Sequence, residues 1–183
     1  MLTLIGASAS GKTEIAKILI HDYGFQKLVT YTTREPRKNE QDGIDYHFLS
    51  LRAFLEKRAR NEFVETAEYN GNLYGTSFND VRRDRVVIVE PKGANALYEK
   101  LENRMVIVLL ETPKSIRAQR MIARGDSLED IEKRLEADEE RFDIHRLHHV
   151  DWVIENRGGS LERLAEKLQS FYKEEVRKRE REN

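Results

Sequence analysis

The stretch MLTLIGASASGKTEIAKILIHDYG, residues 1–24, decides the fold. Leu2 to Ile5 predict a short buried strand. Thr13 to Tyr23 predict a helix with Ile15, Ile18 and Leu19 on one face, ended by Gly24. Between them stands GASASGKT, Gly6 to Thr13, with the spacing G-x-x-x-x-G-K-[ST]. Glycines at both ends let the backbone curl until successive N–H groups face inward, which suits a polyphosphate. The first turn of the following helix adds partial positive charge. Gly6, Ala7, Ser8, Ala9, Ser10 and Gly11 therefore form the expected cradle for a nucleoside triphosphate. Lys12 is expected to reach the β and γ phosphates, and the Thr13 hydroxyl to ligate Mg²⁺.

Working outward, strand and helix alternate three more times after residue 80. Arg85 to Glu90, Met105 to Glu111 and Asp151 to Glu155 are predicted strands. Gly93 to Leu101, Ser115 to Arg124, Leu128 to about Phe142 and Leu161 to about Arg179 are predicted helices. Apolar strands that each lead into a helix imply a parallel sheet covered on both faces, with ligands beyond the C-terminal strand ends. Gln26 to Thr30 is a possible second strand. From Tyr31 to Asp80 the texture is polar, and Gly43, Gly71 and Gly75 separate short β-like pieces at Asp45–Leu49, Phe63–Tyr69 and Leu73–Ser77. A short helix near Leu51 to Arg58 completes this small, mostly β insertion.

Composition narrows the function. The 183 residues hold 32 Lys+Arg against 33 Asp+Glu, so no global field draws the chain to nucleic acid or membrane. With no cysteine, a disulfide scaffold, a thiolate metal site and a cysteine nucleophile are excluded. The longest apolar run, Met105 to Leu110, is too short to span a bilayer. With a strand expected from Leu2 there is no room for a signal peptide, and a cytoplasmic protein is the expectation. His145, His148 and His149 have no carboxylate at ligand spacing and predict no metal site. His47 is expected on a solvent-facing strand position, Trp152 in the core, and the charged tail KEEVRKREREN as a fraying helix end.

The insertion carries the acceptor chemistry. Arg34 and Arg37 stand three apart around Pro36, so two guanidinium forks can meet one phosphate dianion. Tyr46 and Tyr74 can add hydroxyl donors, and Glu65 can accept two hydrogen bonds from a planar N–H edge such as that of guanine.

These stretches, TTREPR at Thr32–Arg37, GIDYHF at Gly43–Phe48, FVE at Phe63–Glu65 and YGT at Tyr74–Thr76, resemble guanylate kinase, the kinase of GMP, over essentially the whole chain. The resemblance implies a P-loop nucleoside monophosphate kinase of α/β class. It implies a core at residues 1–30 and 81–183, a GMP-binding insertion at 31–80 and a helical lid at about 120–142. It places GMP phosphate contacts on Arg34, Arg37, Tyr46 and Tyr74, and guanine contacts on Thr30, Glu65 and Thr76. It places lid arginines at Arg124 and Arg134, with Arg120 assisting, and Asn156 near the adenine. Lys12, Arg34, Arg124 and Arg134 are the expected catalytic cations, with ATP and GMP as substrates and Mg²⁺ as cofactor. One departure is visible. The family pattern D-x-D-x-x-G falls on IVEPKG, so Ile88 stands at the first aspartate and Glu90 at the second, with Glu111 a weaker substitute. That departure keeps open another acceptor, such as ribose 1,5-bisphosphate, and a non-catalytic binding homologue.

Overall fold

The β1 strand, Leu2–Ile5, lies at the centre of a five-stranded parallel sheet. The order is β2 (Gln26–Lys27), β7 (Arg85–Ile88), β1, β8 (Val106–Glu111) and β9 (Trp152–Glu155). The computed structural model describes residues 1–69 and 71–182. The alternation of side chains sorts the core. Leu2 and Leu4 of β1, with Val106, Val108 and Leu110 of β8, pack beneath α1 (Lys12–Tyr23) and α6 (Leu161–Glu182). Ile5, Ile107 and Leu109 point to the other face, against Ala94, Leu97 and Leu101 of α3 (Pro91–Leu101). With β7 on one side of β1 and β8 on the other, the crevice beyond the end of β1 is the position at which such sheets bind ligands.

Residues 31–80 hold a second sheet, in the order β4 (His47–Phe48), β3 (Tyr31–Thr32), β6 (Asn72–Ser77) and β5 (Phe63–Tyr69). Its anchor is Phe54, fully buried from α2 (Leu51–Ala59) and stacked on Phe63 with ring centroids 4.6 Å apart. Gly75 lets both rings approach the strand; a Cβ there would stand 3.0 Å from Phe63 and 3.1 Å from Phe54.

Several expectations change. The strand predicted over Gln26–Thr30 ends at Lys27; Leu28 still donates to the Val86 carbonyl, but residues 29–30 leave the sheet. Likewise β7 stops at Ile88 and α3 starts at Pro91, whose fixed φ suits a first helical position. His47 is half-buried and stacks on Tyr31 at 4.6 Å. Trp152 is half-buried against Phe171 at 4.5 Å. The tail does not fray at Arg179: α6 continues to Glu182, and Arg179 pairs with Asp151 and with Glu175 one turn back. Asn183 lies outside the described residues. Among the described residues no helix is long and apolar enough to cross a membrane.

Candidate active site

The phosphate loop follows β1 directly. Gly6 passes so close to β8 that a Cβ would stand 2.5 Å from the Leu110 carbonyl oxygen. Gly11 caps α1 at φ 104°, a left-handed conformation open to glycine, and a Cβ there would meet the Asn156 amide at 2.9 Å. The loop is braced from outside. Fully buried Asn156 donates from Nδ2 to the Ser10 carbonyl at 2.8 Å. Arg120 donates to the Ala9 carbonyl at 3.0 Å and to Asn156 Oδ1 at 3.3 Å. Asn156 is thus a structural strut under the loop, a role the spacing alone did not indicate.

Lys12 turns its Nζ back over the loop and donates to the carbonyls of Gly6 at 2.5 Å and Ala7 at 2.8 Å, and to Ser10 Oγ at 3.3 Å. Burial pushes its pKa down to about 8, against the upward pull of Asp138. A phosphate oxygen beside it would raise that value again by favouring the charged form. The Thr13 side chain is exposed in the first turn of α1. Among the described residues no cluster of three His, Cys, Asp or Glu could hold a resident metal. The Thr13 hydroxyl, exposed beside the loop, is a hard oxygen of the kind that a divalent cation carried by phosphate groups accepts.

Arg34 follows β3. Its guanidinium lies over the rings of Tyr46 at 5.5 Å and Phe48 at 5.8 Å, and its Nη2 donates to both carboxylate oxygens of Glu40 at 2.8 Å. Glu40 also accepts the Arg37 backbone N–H at 2.8 Å. That N–H, then Arg34, holds the Glu40 carboxyl below its usual range, while the Glu40 hydrogen bond raises the pKa of Arg34. Tyr46 and Tyr74 meet edge to face at 6.0 Å. Arg34, Tyr46 and Tyr74 thus come together, and Arg37 joins them through Glu40 with an exposed side chain.

Glu65 is aimed by a bulge. The register of β5 on β6 shifts between Phe63 and Glu65, which sets Glu65 opposite Thr76. The Thr76 hydroxyl donates to Glu65 Oε1 at 2.8 Å, which leaves Oε2 for another donor. Thr76 and Tyr74 are two apart on β6, so they share a face about 7 Å apart. Thr30 is half-buried at the start of this region, its carbonyl accepting the His47 N–H at 2.9 Å.

Helices α4 (Lys114–Ala123) and α5 (Leu128–Arg141) flank the loop, joined through Gly125 at φ 87°. Ser127 caps α5 by accepting the Asp130 N–H at 3.2 Å. Arg124 and Arg134 both donate to Asp126, so one carboxylate gathers both. This contact holds Asp126 below the usual carboxylate range. Glu90 stands at the N-terminus of α3, pairs with Arg141 at 3.4 Å, and its charge pulls upward on the pKa of Lys12.

Sequence reasoning missed Glu40 and Asp126, the carboxylates that gather the arginines, and also a buried pair. Asp138 of α5 and Arg117 of α4 are both buried, and Asp138 reaches into the loop itself. The signal was present: Ile131, Leu135 and Asp138 occupy one helical stripe, so a charge sits in an otherwise buried row.

Comparison with known proteins gives the family and the fold. A family model described as guanylate kinase matches residues 1–175. The chain belongs to the guanylate kinase family. Among relatives, guanylate kinase of Syntrophus aciditrophicus is 35% identical, covering 95% of this chain and 86% of its own length. That of Nitratidesulfovibrio vulgaris is 34% identical, covering 96% and 87%. The crystal structure of guanylate kinase from Anaplasma phagocytophilum shares the fold, with a TM-score of 0.60 at 22% identity over 96% of this chain and 85% of that one. Membership in the guanylate kinase family implies phosphoryl transfer with a divalent metal, and the loop, Thr13 and the arginines around them are of the kind that chemistry uses.

Proposed function

We propose that this chain transfers the γ-phosphoryl group of ATP, carried with Mg²⁺, to the 5′-phosphate of GMP. The observation that carries the proposal is the pairing on one strand face of Tyr74, beside the Arg34 cation, with Thr76, beside the Glu65 carboxylate. A cationic end and a carboxylate end presented on one strand face suit the two ends of a nucleotide, its phosphate and its base. The Glu65 carboxylate can accept from N1–H and N2–H of guanine, an adjacent pair of donors that adenine, whose N1 is an acceptor, does not present.

The acceptor phosphate is already an anion, so no strong base is needed, and the work is positioning and charge neutralisation. Residues Gly6, Ala7, Ser8, Ala9, Ser10, Gly11, Lys12 and Thr13 would hold ATP, with Thr13 on the metal. Arg34, Arg37, Tyr46 and Tyr74 would hold the acceptor phosphate, and Thr30, Glu65, Thr76 and Glu90 the guanine side. Bound Mg²⁺ supplies charge neutralisation at the β and γ phosphoryl oxygens. Residues 31–80 form the acceptor-binding unit of this proposal, and residues 120–142 the lid. Arg124 and Arg134 would leave Asp126 for the migrating phosphoryl group as the lid excludes water. The cytoplasm, with its ATP and reducing conditions, suits a cysteine-free enzyme of this kind.

The test is ADP release from Mg·ATP with GMP, dGMP, AMP, CMP, UMP, dTMP and ribose 1,5-bisphosphate in turn. Turnover confined to the guanine nucleotides is expected. Turnover only with the sugar bisphosphate, or none at all, would contradict the proposal.

A further inference from the structure

The phosphate loop already has an anion on one of its amides. Asp138 Oδ2 accepts the Ser8 backbone N–H at 2.8 Å, and the same oxygen accepts from Arg117 Nη1 at 2.9 Å. The two side chains are 5% and 7% exposed, so both charges are withdrawn from water. Arg117 Nε is buried and has no hydrogen-bond partner, so the pair is not fully satisfied where it sits. One turn beyond Asp138, the Phe142 ring lies 5.9 Å from Lys12 Nζ. The end of α5 therefore rests on the loop through an acid and a ring. A cavity of about 370 Å³ opens beside it, lined in part by Ala7, Arg117, Asp138 and Phe142.

A triphosphate in the loop and the Asp138 carboxylate compete for one N–H and repel each other. Both cannot remain. We propose that Asp138 is a positioning residue: its carboxylate stands in for phosphate at Ser8 until ATP displaces it, and its departure releases α5 for closure. The inference rests on the reading of Gly6–Thr13 as the ATP site. Arg134 lies one turn before Asp138 on the same helix, so expelling the acid from the loop also moves a phosphate-seeking cation. Arg117, once separated from its carboxylate, becomes a buried cation beside the incoming charge. The exchange makes lid movement conditional on ATP, and it lowers apparent ATP affinity by the fraction of time the latch is shut.

The experiment is ATP binding by calorimetry, with KM and kcat for both substrates, on the wild-type chain and on Asp138→Asn. Asparagine keeps the shape and the accepting oxygen but removes the charge. ATP should bind about tenfold more tightly to Asp138→Asn, as a latch shut about nine-tenths of the time requires. KM for ATP should fall in parallel, while KM for GMP stays within about twofold. A merely structural pair would lower the melting temperature and leave ATP affinity unchanged, and that result overturns the inference. Should Asp138→Asn not fold, the double variant Arg117→Leu with Asp138→Leu carries the test, because buried ion pairs tolerate joint apolar replacement. It too should bind ATP more tightly than wild type, and unchanged or weaker binding overturns the inference. Failure of the wild-type chain to bind ATP would instead bring down the functional reading, and the latch with it.

Discussion

Lys12→Met should form GDP about a thousandfold more slowly than wild type while melting at or above the wild-type temperature. The two halves of this expectation have one origin. Lys12 is held in a half-buried loop whose surroundings disfavour its charge, with a pKa down to about 8. Because the folded value lies below the unfolded one, the charged lysine costs stability at all pH below about 8. That cost is relieved as pH rises from there toward the unfolded value. Methionine keeps the stem and removes the penalty, so the fold survives. What it cannot do is meet the negative charge that shifts between donor and acceptor oxygens during transfer. Initial rates of GDP formation and a thermal melt at pH 7 check both halves. A near-normal rate would remove Lys12 from the mechanism.

Arg34→Met should lower kcat/KM for GMP by about three decades and leave ATP affinity within about twofold. The loss is larger than that of one hydrogen bond, because Glu40 remains. In the native site Arg34 grips both Glu40 oxygens. Without the guanidinium, that carboxylate faces the acceptor phosphate as a like charge. The double variant Arg34→Met with Glu40→Gln should therefore recover part of the loss, a non-additivity expected of groups in direct contact. Arg34→Lys should not restore the rate, since an ammonium cannot reproduce the planar fork. Steady-state kinetics over GMP, beside calorimetry with ATP, separates these outcomes; a variant that loses ATP binding equally would show that Arg34 acts on the fold.

Much of this was legible in the chain. The continuous apolar runs at Leu2–Ile5 and Val106–Leu110 lie in the sheet as expected, because β-strands buried on both faces carry their own signature. The phosphate loop was legible because its glycines answer a local steric demand, seen in the Leu110 carbonyl pressing on Gly6. Other features were not local. Strand β3 is two residues long and exists only because β6 and β4 flank it. The bulge that aims Glu65 is a property of two strands together. Asp138 sits in the apolar stripe of α5, but its partner is not written in the chain; only the packing of α4 on α5 buries Asp138 and Arg117 as a pair. The end of α6 reads as a loose tail for the same reason, since the partner of Arg179 is Asp151, 28 positions away.

The central claim is that one cleft holds two nucleotides, each with its phosphate end in a separate cradle, and that they meet end to end. A single molecule tests it: adenosine and guanosine joined 5′ to 5′ through five phosphates, titrated in the presence of Mg²⁺. Occupying both cradles at once should make it bind at least a hundredfold more tightly than ATP and displace bound ATP and bound GMP together. Affinity no better than that of ATP, with GMP left in place, would contradict the account.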